Sequence, residues 1–200
     1  YTEFIKTALN ENRNQMYNGG AYFYNKAKYA ESYEQFGKFI ELTESDILSD
    51  GVQPAEKAYS IGAAYNAVLC AMQLKDYEKA LKYADYAAQD EAKASSIYRH
   101  KANAYQAMGD NDKWIALLKE GVVKFPNDPF FYQTLIQYYD GAGKRDELNA
   151  LADELMANSP NNPLFVYLKG YIAQQQDDFD TAITWYKKTL EMGDCPGCDC

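Results

Sequence analysis

PNDPFFYQTLIQYYDGAGKRDELNALADELMANSPNNP, residues 126–163, decides how the chain folds. It opens on Pro126-Asn-Asp-Pro129 and closes on Pro160-Asn-Asn-Pro163, so both prolines recur after 34 residues. Between them lie an aromatic-rich run, a Gly-Ala-Gly break at 141–143 and an amphipathic acidic run. A fixed period of this size marks a solenoid, whose units bury their apolar faces on one another. The stretch reads as one helix–turn–helix unit. Pro129 and Pro163 fall in a first helical turn, where a missing N–H does no harm.

Working outward, the same period recurs in four registers. Small or apolar residues stand at Ala80, Trp114, Leu148 and Ala182, each 34 after the last. Tyr105 repeats at Tyr139 and Gly109 at Gly143, and turn residues recur at 75–77, 109–111, 143–145 and 177–179. Within a unit the apolar positions follow a helix, as in Tyr77, Ala80, Leu81, Ala84 and Ala87. Upstream the period breaks. The second-helix pattern Tyr29, Ser32, Phe36, Phe39 places Ser32 48 residues before Ala80, 14 more than one period. The surplus is expected near 43–60, with a loop at 49–54 and one lengthened helix over 54–74. Residues 1–12 are expected to lengthen the first helix, and Gly19-Gly20 to mark a close approach of two helices.

Composition narrows the partner. Hydrophobic residues make up 47% and charged ones 24%, as in a globular chain. With 29 acidic against 20 basic residues the net charge is −9, which speaks against a nucleic-acid partner that needs a basic stripe. No apolar run approaches the ~18 residues of a membrane span. The chain starts at Tyr1 rather than Met and is rich in Tyr, Lys and Asn. Both features lean towards an exported bacterial protein, of periplasm or cell envelope, over a cytoplasmic one.

The best units read Tyr98, Lys101, Ala102, Tyr105, Trp114, Leu118, Gly121, Pro126, then Tyr132, Leu135, Ile136, Tyr139, Leu148, Ala152, Leu155, Pro160. A further one reads Val166, Lys169, Gly170, Ala173, Ala182, Tyr186, Thr189, with Asp194 where Pro is expected. This resembles the tetratricopeptide repeat, a 34-residue unit of pattern Trp-x2-Leu-Gly-x2-Tyr, Ala-x3-Phe, Pro. The resemblance implies an all-α fold, a right-handed superhelical solenoid of antiparallel helix pairs. Five repeats are expected at about 13–46, 61–94, 95–128, 129–162 and 163–194, in one array over 1–194 with a Cys-rich tail at 195–200.

The resemblance also implies a binding groove lined by the first helix of each unit. Its groove positions fall here on Tyr17, Tyr24, Tyr65, Leu69, Arg99, His100, Asn103, Gln133, Gln137, Tyr167 and Tyr171. Tyrosine offers a large amphipathic contact at small entropic cost, and Asn or Gln can pair with a ligand backbone. Arg99 and Asn103 match one half of the family's basic clamp for acidic tails, while Thr134, Leu164 and Leu168 occupy the other half's positions. The expected activity is a non-enzymatic scaffold for a protein or peptide ligand, with no cofactor and no nucleic acid.

Catalytic motifs do not assemble. His100 is the sole histidine, so triads built on a second one are excluded. Gly141-Ala-Gly-Lys144 lacks the spacing of a phosphate-binding loop, with Tyr138 and Arg145 at required Gly and hydroxyl positions. Asp146-Glu147 and Asp177-Asp178 stand at helix starts, where acids suit the positive end. Cys195, Cys198 and Cys200 form C-x-x-C-x-C, three thiolates that suit Zn²⁺ or Cu⁺ without a fourth local ligand. A disulfide or an inert tail are the other readings. Two alternative functions follow: a carrier of a C-terminal thiol metal or redox module, or a structural piece of a larger envelope assembly. A solenoid end needs a polar cap, so Ile183, Trp185 and Leu190 are expected to be covered by the tail or a subunit contact.

Overall fold

A computed structural model describes residues 2–45, 48 and 54–193. Most of the expected loop at 49–54 and the whole tail with Cys195, Cys198 and Cys200 lie outside the described residues. The described chain is all-α. Its helices are α1 (Thr2–Asn25), α2 (Tyr29–Thr43), α3 (Pro54–Gln73), α4 (Tyr77–Ala87), α5 (Glu91–Met108), α6 (Asn111–Lys124), α7 (Pro129–Gly141), α8 (Arg145–Asn158), α9 (Pro163–Gln175) and α10 (Phe179–Glu191).

One turn builds every pair. Ala27, Lys75, Gly109, Gly143 and Asp177 all have left-handed φ, between 55° and 76°. Counting along the chain, the first step is 48 residues and the others are 34. At each site the next residue's N–H reaches back five residues to a carbonyl: Lys28 to Phe23, Asp76 to Ala71, Asp110 to Tyr105, Lys144 to Tyr139, Asp178 to Ala173. These bonds are 2.8–3.0 Å long. The left-handed residue itself donates to a carbonyl three back, completing a Schellman motif that satisfies the helix's last carbonyls. The residue after the turn then caps the second helix. Asp76, Asp110 and Asp178 accept from the backbone N–H of Lys79, Lys113 and Thr181.

First helices begin differently. Asp128 and Asn162 accept from the N–H of Phe130 and Leu164, ahead of Pro129 and Pro163. The register predicts a start at 95 for the third unit, but α5 starts one turn earlier. Asp90 is the reason: its carboxylate accepts from the N–H of Ala92 and sets the boundary there.

Two compact units divide the chain, Tyr1–Leu117 and Leu118–Cys200. In the first, α3 is the hub, packing on α2, α4 and α5. It buries Ala63, Ala64, Ala67, Val68, Cys70 and Ala71 on nearly all sides, and small side chains let neighbouring helices come close. Phe36, Phe39 and Ile40 of α2 fill the space towards α1. A buried polar thread crosses three helices: the Cys70 thiol donates to Ser32 Oγ at 3.2 Å, and Ser32 Oγ donates to the Gly20 carbonyl at 2.8 Å. Burial pushes the Cys70 thiol pKa up, so it stays protonated as the thread requires. The two glycines of α1 differ. A methyl on Gly20 would meet the Phe36 ring at 2.7 Å, whereas one on Gly19 would meet only the Gln35 side chain at 3.5 Å.

In the second unit, α9 packs on α8 and α10 and buries Leu164, Phe165, Val166, Leu168 and Ile172. Phe131 and Leu135 of α7 and Leu148, Leu151 and Leu155 of α8 complete the core. Along α10, Phe179, Ile183 and Leu190 are 57%, 50% and 66% exposed, so no described residue covers that face, while Trp185 is half-buried.

The shared turn makes a direct prediction. A left-handed alanine costs roughly 1–2 kcal/mol, partly offset by glycine's greater freedom when unfolded. Ala27→Gly is therefore expected to raise stability by about 0.5–1 kcal/mol and Gly143→Ala to lower it by about 1 kcal/mol, read from urea unfolding midpoints. The glycines of α1 predict opposite signs. Gly19→Ala gains up to ~1 kcal/mol of helix propensity, while Gly20→Ala loses roughly 1–2 kcal/mol through the displaced Phe36 ring, by the same measurement.

Candidate functional site

The eleven residues expected to line a groove divide into partly buried packing residues and exposed ones. In the first unit, Tyr17 of α1 is half-buried, with edge contacts to Phe36, Phe39 and Tyr59 at 5.7, 5.2 and 5.6 Å between ring centroids. Tyr24 sits edge-on to Tyr29 at 5.7 Å, and burial first, then nearby Cys70, Tyr29 and Tyr65, raises its phenol pKa. The ring of Tyr65, on α3, carries the Lys93 ammonium 4.9 Å from its centroid. Leu69 is half-buried on the same helix. By contrast Arg99 and Asn103, one turn apart on α5, are exposed, with half-buried His100 beside them. The buried face of α5 is made by Ile97, Tyr98, Ala102 and Ala104.

In the second unit, Gln133 and Gln137 are exposed, again one turn apart, while Phe131, Tyr132 and Leu135 turn the rest of α7 inward. Tyr167 packs on Tyr186 at 5.4 Å. The Tyr171 hydroxyl donates to Asp140 Oδ2 at 3.4 Å, and Arg145 Nε lies 3.8 Å from Asp140 Oδ1. Burial, followed by the Asp140 charge, raises the Tyr171 pKa. At the other half of the clamp pattern, Leu164 and Leu168 are core residues and the Thr134 hydroxyl donates to its own helix at Phe130 O, 2.6 Å away. The exposed residues among the eleven form two polar pairs, Arg99/Asn103 in the first unit and Gln133/Gln137 in the second.

Reading the sequence alone misses several polar anchors. Lys101 and Lys169 stand where the repeat pattern expects leucine. Each buries its stem and reaches an aspartate of the preceding second helix: Lys101 Nζ to Asp85 at 2.5 Å, Lys169 Nζ to Asp153 at 2.6 Å. Lys169 also donates to Asn149 Oδ1 at 2.7 Å. Both lysines and both aspartates are 68 residues apart, two periods, so a same-register Asp–Lys search would have found them. Arg13 and Glu56 were missed as well. Arg13 opens the first repeat, while Glu56 lies in the extended part of α3 ahead of the second, so no single register links them. Among the described residues no cluster of three His, Cys, Asp or Glu side chains could hold a metal ion. Nor is any helix among them long and apolar enough to cross a membrane.

Comparison with known proteins agrees with the turn spacing. The family model described as tetratricopeptide repeat matches residues 165–192. The chain superposes on the crystal structure of a TPR repeats protein from Bacteroides fragilis with a TM-score of 0.61, at 19% identity, covering 90% of this chain and 91% of that one. This is the tetratricopeptide-repeat fold. A MamA protein is also similar, with TM-score 0.53, 14% identity and 92% of each chain covered. MamA from Desulfovibrio magneticus gives 0.50 at 15% identity, over 90% of this chain and 94% of that one. No curated protein matches the chain in sequence.

Within this tetratricopeptide array His100 carries a pH prediction. Burial lowers its pKa below the ordinary 6.5, so the unfolded chain takes up that proton first. The stabilising contribution is complete above pH ~6.5 and is lost as pH falls further. Melting temperatures measured from pH 7.5 to 5 should therefore fall less in His100→Gln than in the wild type.

Proposed function

We propose that the chain is a protein-interaction scaffold that holds a peptide or protein segment along the exposed faces of its first helices. The observation that carries this reading is the exposure of two polar pairs, Arg99/Asn103 on α5 in the first unit and Gln133/Gln137 on α7 in the second, at positions that match those where tetratricopeptide repeats meet their ligands. Solenoids present such extended surfaces, with the helix pairs as rigid support. Arg supplies a planar donor fork, and each amide offers a donor and an acceptor to a ligand's main chain. Recognition, with no catalytic step, is the output.

Peptides selected from a random phage-displayed library on the wild-type protein provide the test. Arg99→Ala/Asn103→Ala and Gln133→Ala/Gln137→Ala change exposed residues, for which stability moves by only ~0.5 kcal/mol. Each pair is expected to weaken selected peptides by about tenfold or more, while the control Glu78→Ala on α4 leaves them unchanged. Unaltered affinity for every peptide in both double variants overturns the assignment.

A further inference from the structure

Between α1 and the extended part of α3 the first unit holds a cavity of about 650 Å³, in the size range of ligand clefts. Arg13 lines it and keeps only 5% of its surface exposed. Its guanidinium donates through Nη2 to Glu56 Oε1 at 2.6 Å and lies 5.9 Å from the centroid of the Phe39 ring. Nε is buried and has no hydrogen-bond partner among the described residues. A buried donor without an acceptor is costly, and its complement is an oxygen supplied from the cavity. Glu56 already balances the Arg13 charge, and the whole chain carries −9. An anion would find no uncompensated cation here and would be repelled by the net charge. The oxygen that fits is a neutral one.

Two kinds of surface make up the rest of the lining. Asn10, Asn14 and Asn18 stand four residues apart on α1, ~6 Å per step along the helix. Each carboxamide sets an acceptor and two donors in one plane. Tyr17 and Tyr59 meet edge to face, with ring centroids 5.6 Å apart and planes at 82°, and form an apolar corner. Tyr17 is packed on Phe36 and Phe39, whereas Tyr59 leaves 58% of its surface open beside the cavity. A purely apolar ligand would leave the amides and Arg13 Nε without partners. A sugar ring suits both surfaces. Its C–H bonds form apolar faces, and the hydroxyls around its rim donate and accept at once. Neighbouring hydroxyls can pair with the oxygen and nitrogen of one carboxamide, while another oxygen accepts from Arg13 Nε and a C–H face lies on a tyrosine ring.

We propose that this cavity binds an uncharged mono- or disaccharide, its hydroxyls held by Arg13 Nε, Asn14 and Asn18 and its C–H face by Tyr59. In the 34-residue register Arg13, Asn14, Tyr17 and Asn18 belong to the first repeat, while Asn10, Glu56 and Tyr59 lie ahead of their repeats. The added helix turns thus supply walls for a small molecule that the repeats alone would not make. The inference goes beyond the scaffold reading and does not rest on it, since the site shares no residue with the pairs Arg99/Asn103 and Gln133/Gln137.

Saturation-transfer NMR on the full chain tests it, with uncharged hexoses, deoxyhexoses, N-acetylhexosamines and their disaccharides as probes. At least one is expected to bind, with transfer strongest at ring C–H protons. Asn14→Ala/Asn18→Ala and Tyr59→Ala change exposed residues, and each should weaken that sugar about tenfold at an unchanged melting temperature. Tyr59→Phe keeps the ring and should bind as the wild type does. The sugar should also shift the Arg13 Nε–H resonance, identified as the one that persists in both Arg99→Ala and Arg145→Ala. No binding by any uncharged sugar, undiminished affinity in Asn14→Ala/Asn18→Ala or Tyr59→Ala, or an unmoved Arg13 resonance overturns the proposal. So does binding confined to acidic sugars, or to blocked uncharged peptides in the same assay. The scaffold reading stands or falls separately, on Arg99, Asn103, Gln133 and Gln137.

Discussion

Everything in this chain depends on how a helix stops. At five places the backbone turns left-handed for one residue and returns an N–H to a carbonyl five residues back. That hydrogen bond satisfies a helix end that would otherwise leave carbonyls unpaired, and it sets the angle at which the next helix departs. Glycine occupies only two of the five sites, Gly109 and Gly143; alanine, lysine and aspartate hold the rest. Three of the sites thus adopt a conformation disfavoured for their side chains, which shows that packing of the helix pair, and not the turn residue, sets the turn.

Packing is graded along the array. Around α3 the seam is built from alanines and a valine, so helices approach closely and the space is filled by Phe36 and Phe39 from α2. In the second unit the same role falls to leucines and phenylalanines. Lys101 and Lys169 enter leucine positions without leaving a buried charge unpaired. Their stems pack as hydrocarbon and their ammonium groups end on aspartates at the rim. The pattern tolerates the substitution because length, more than apolarity at the tip, is what the slot demands.

Exposed and packed positions are separated by the same geometry. Residues one helical turn apart share a face, so Arg99 with Asn103 and Gln133 with Gln137 stay exposed while their neighbours turn inward. Tyr17, Tyr24, Tyr65, Tyr167 and Tyr171 are half-buried between these extremes. Arg13 is the exception to the separation. It is more buried than any of those tyrosines, yet it keeps an unsatisfied donor on a cavity edged by amides.

The sequence by itself determined the all-α class, the 34-residue period, the surplus of 14 and the turn positions, because helical spacing and chain punctuation are local. Pro129, Gly109 and Gly143 are legible without coordinates for that reason. It could not say that α5 begins at Glu91, since a capping carboxylate at Asp90 competes with the register and only geometry shows which one wins. Nor could it sort the eleven groove positions, because a tyrosine on a first helix suits a wall and a ligand contact equally until its neighbours are known. The Arg13–Glu56 pair joins residues 43 apart in sequence, one at the start of the first repeat and the other on the extended part of α3, so no repeat register links them. Only tertiary packing brings them together, and with them the single buried guanidinium and the cavity it floors.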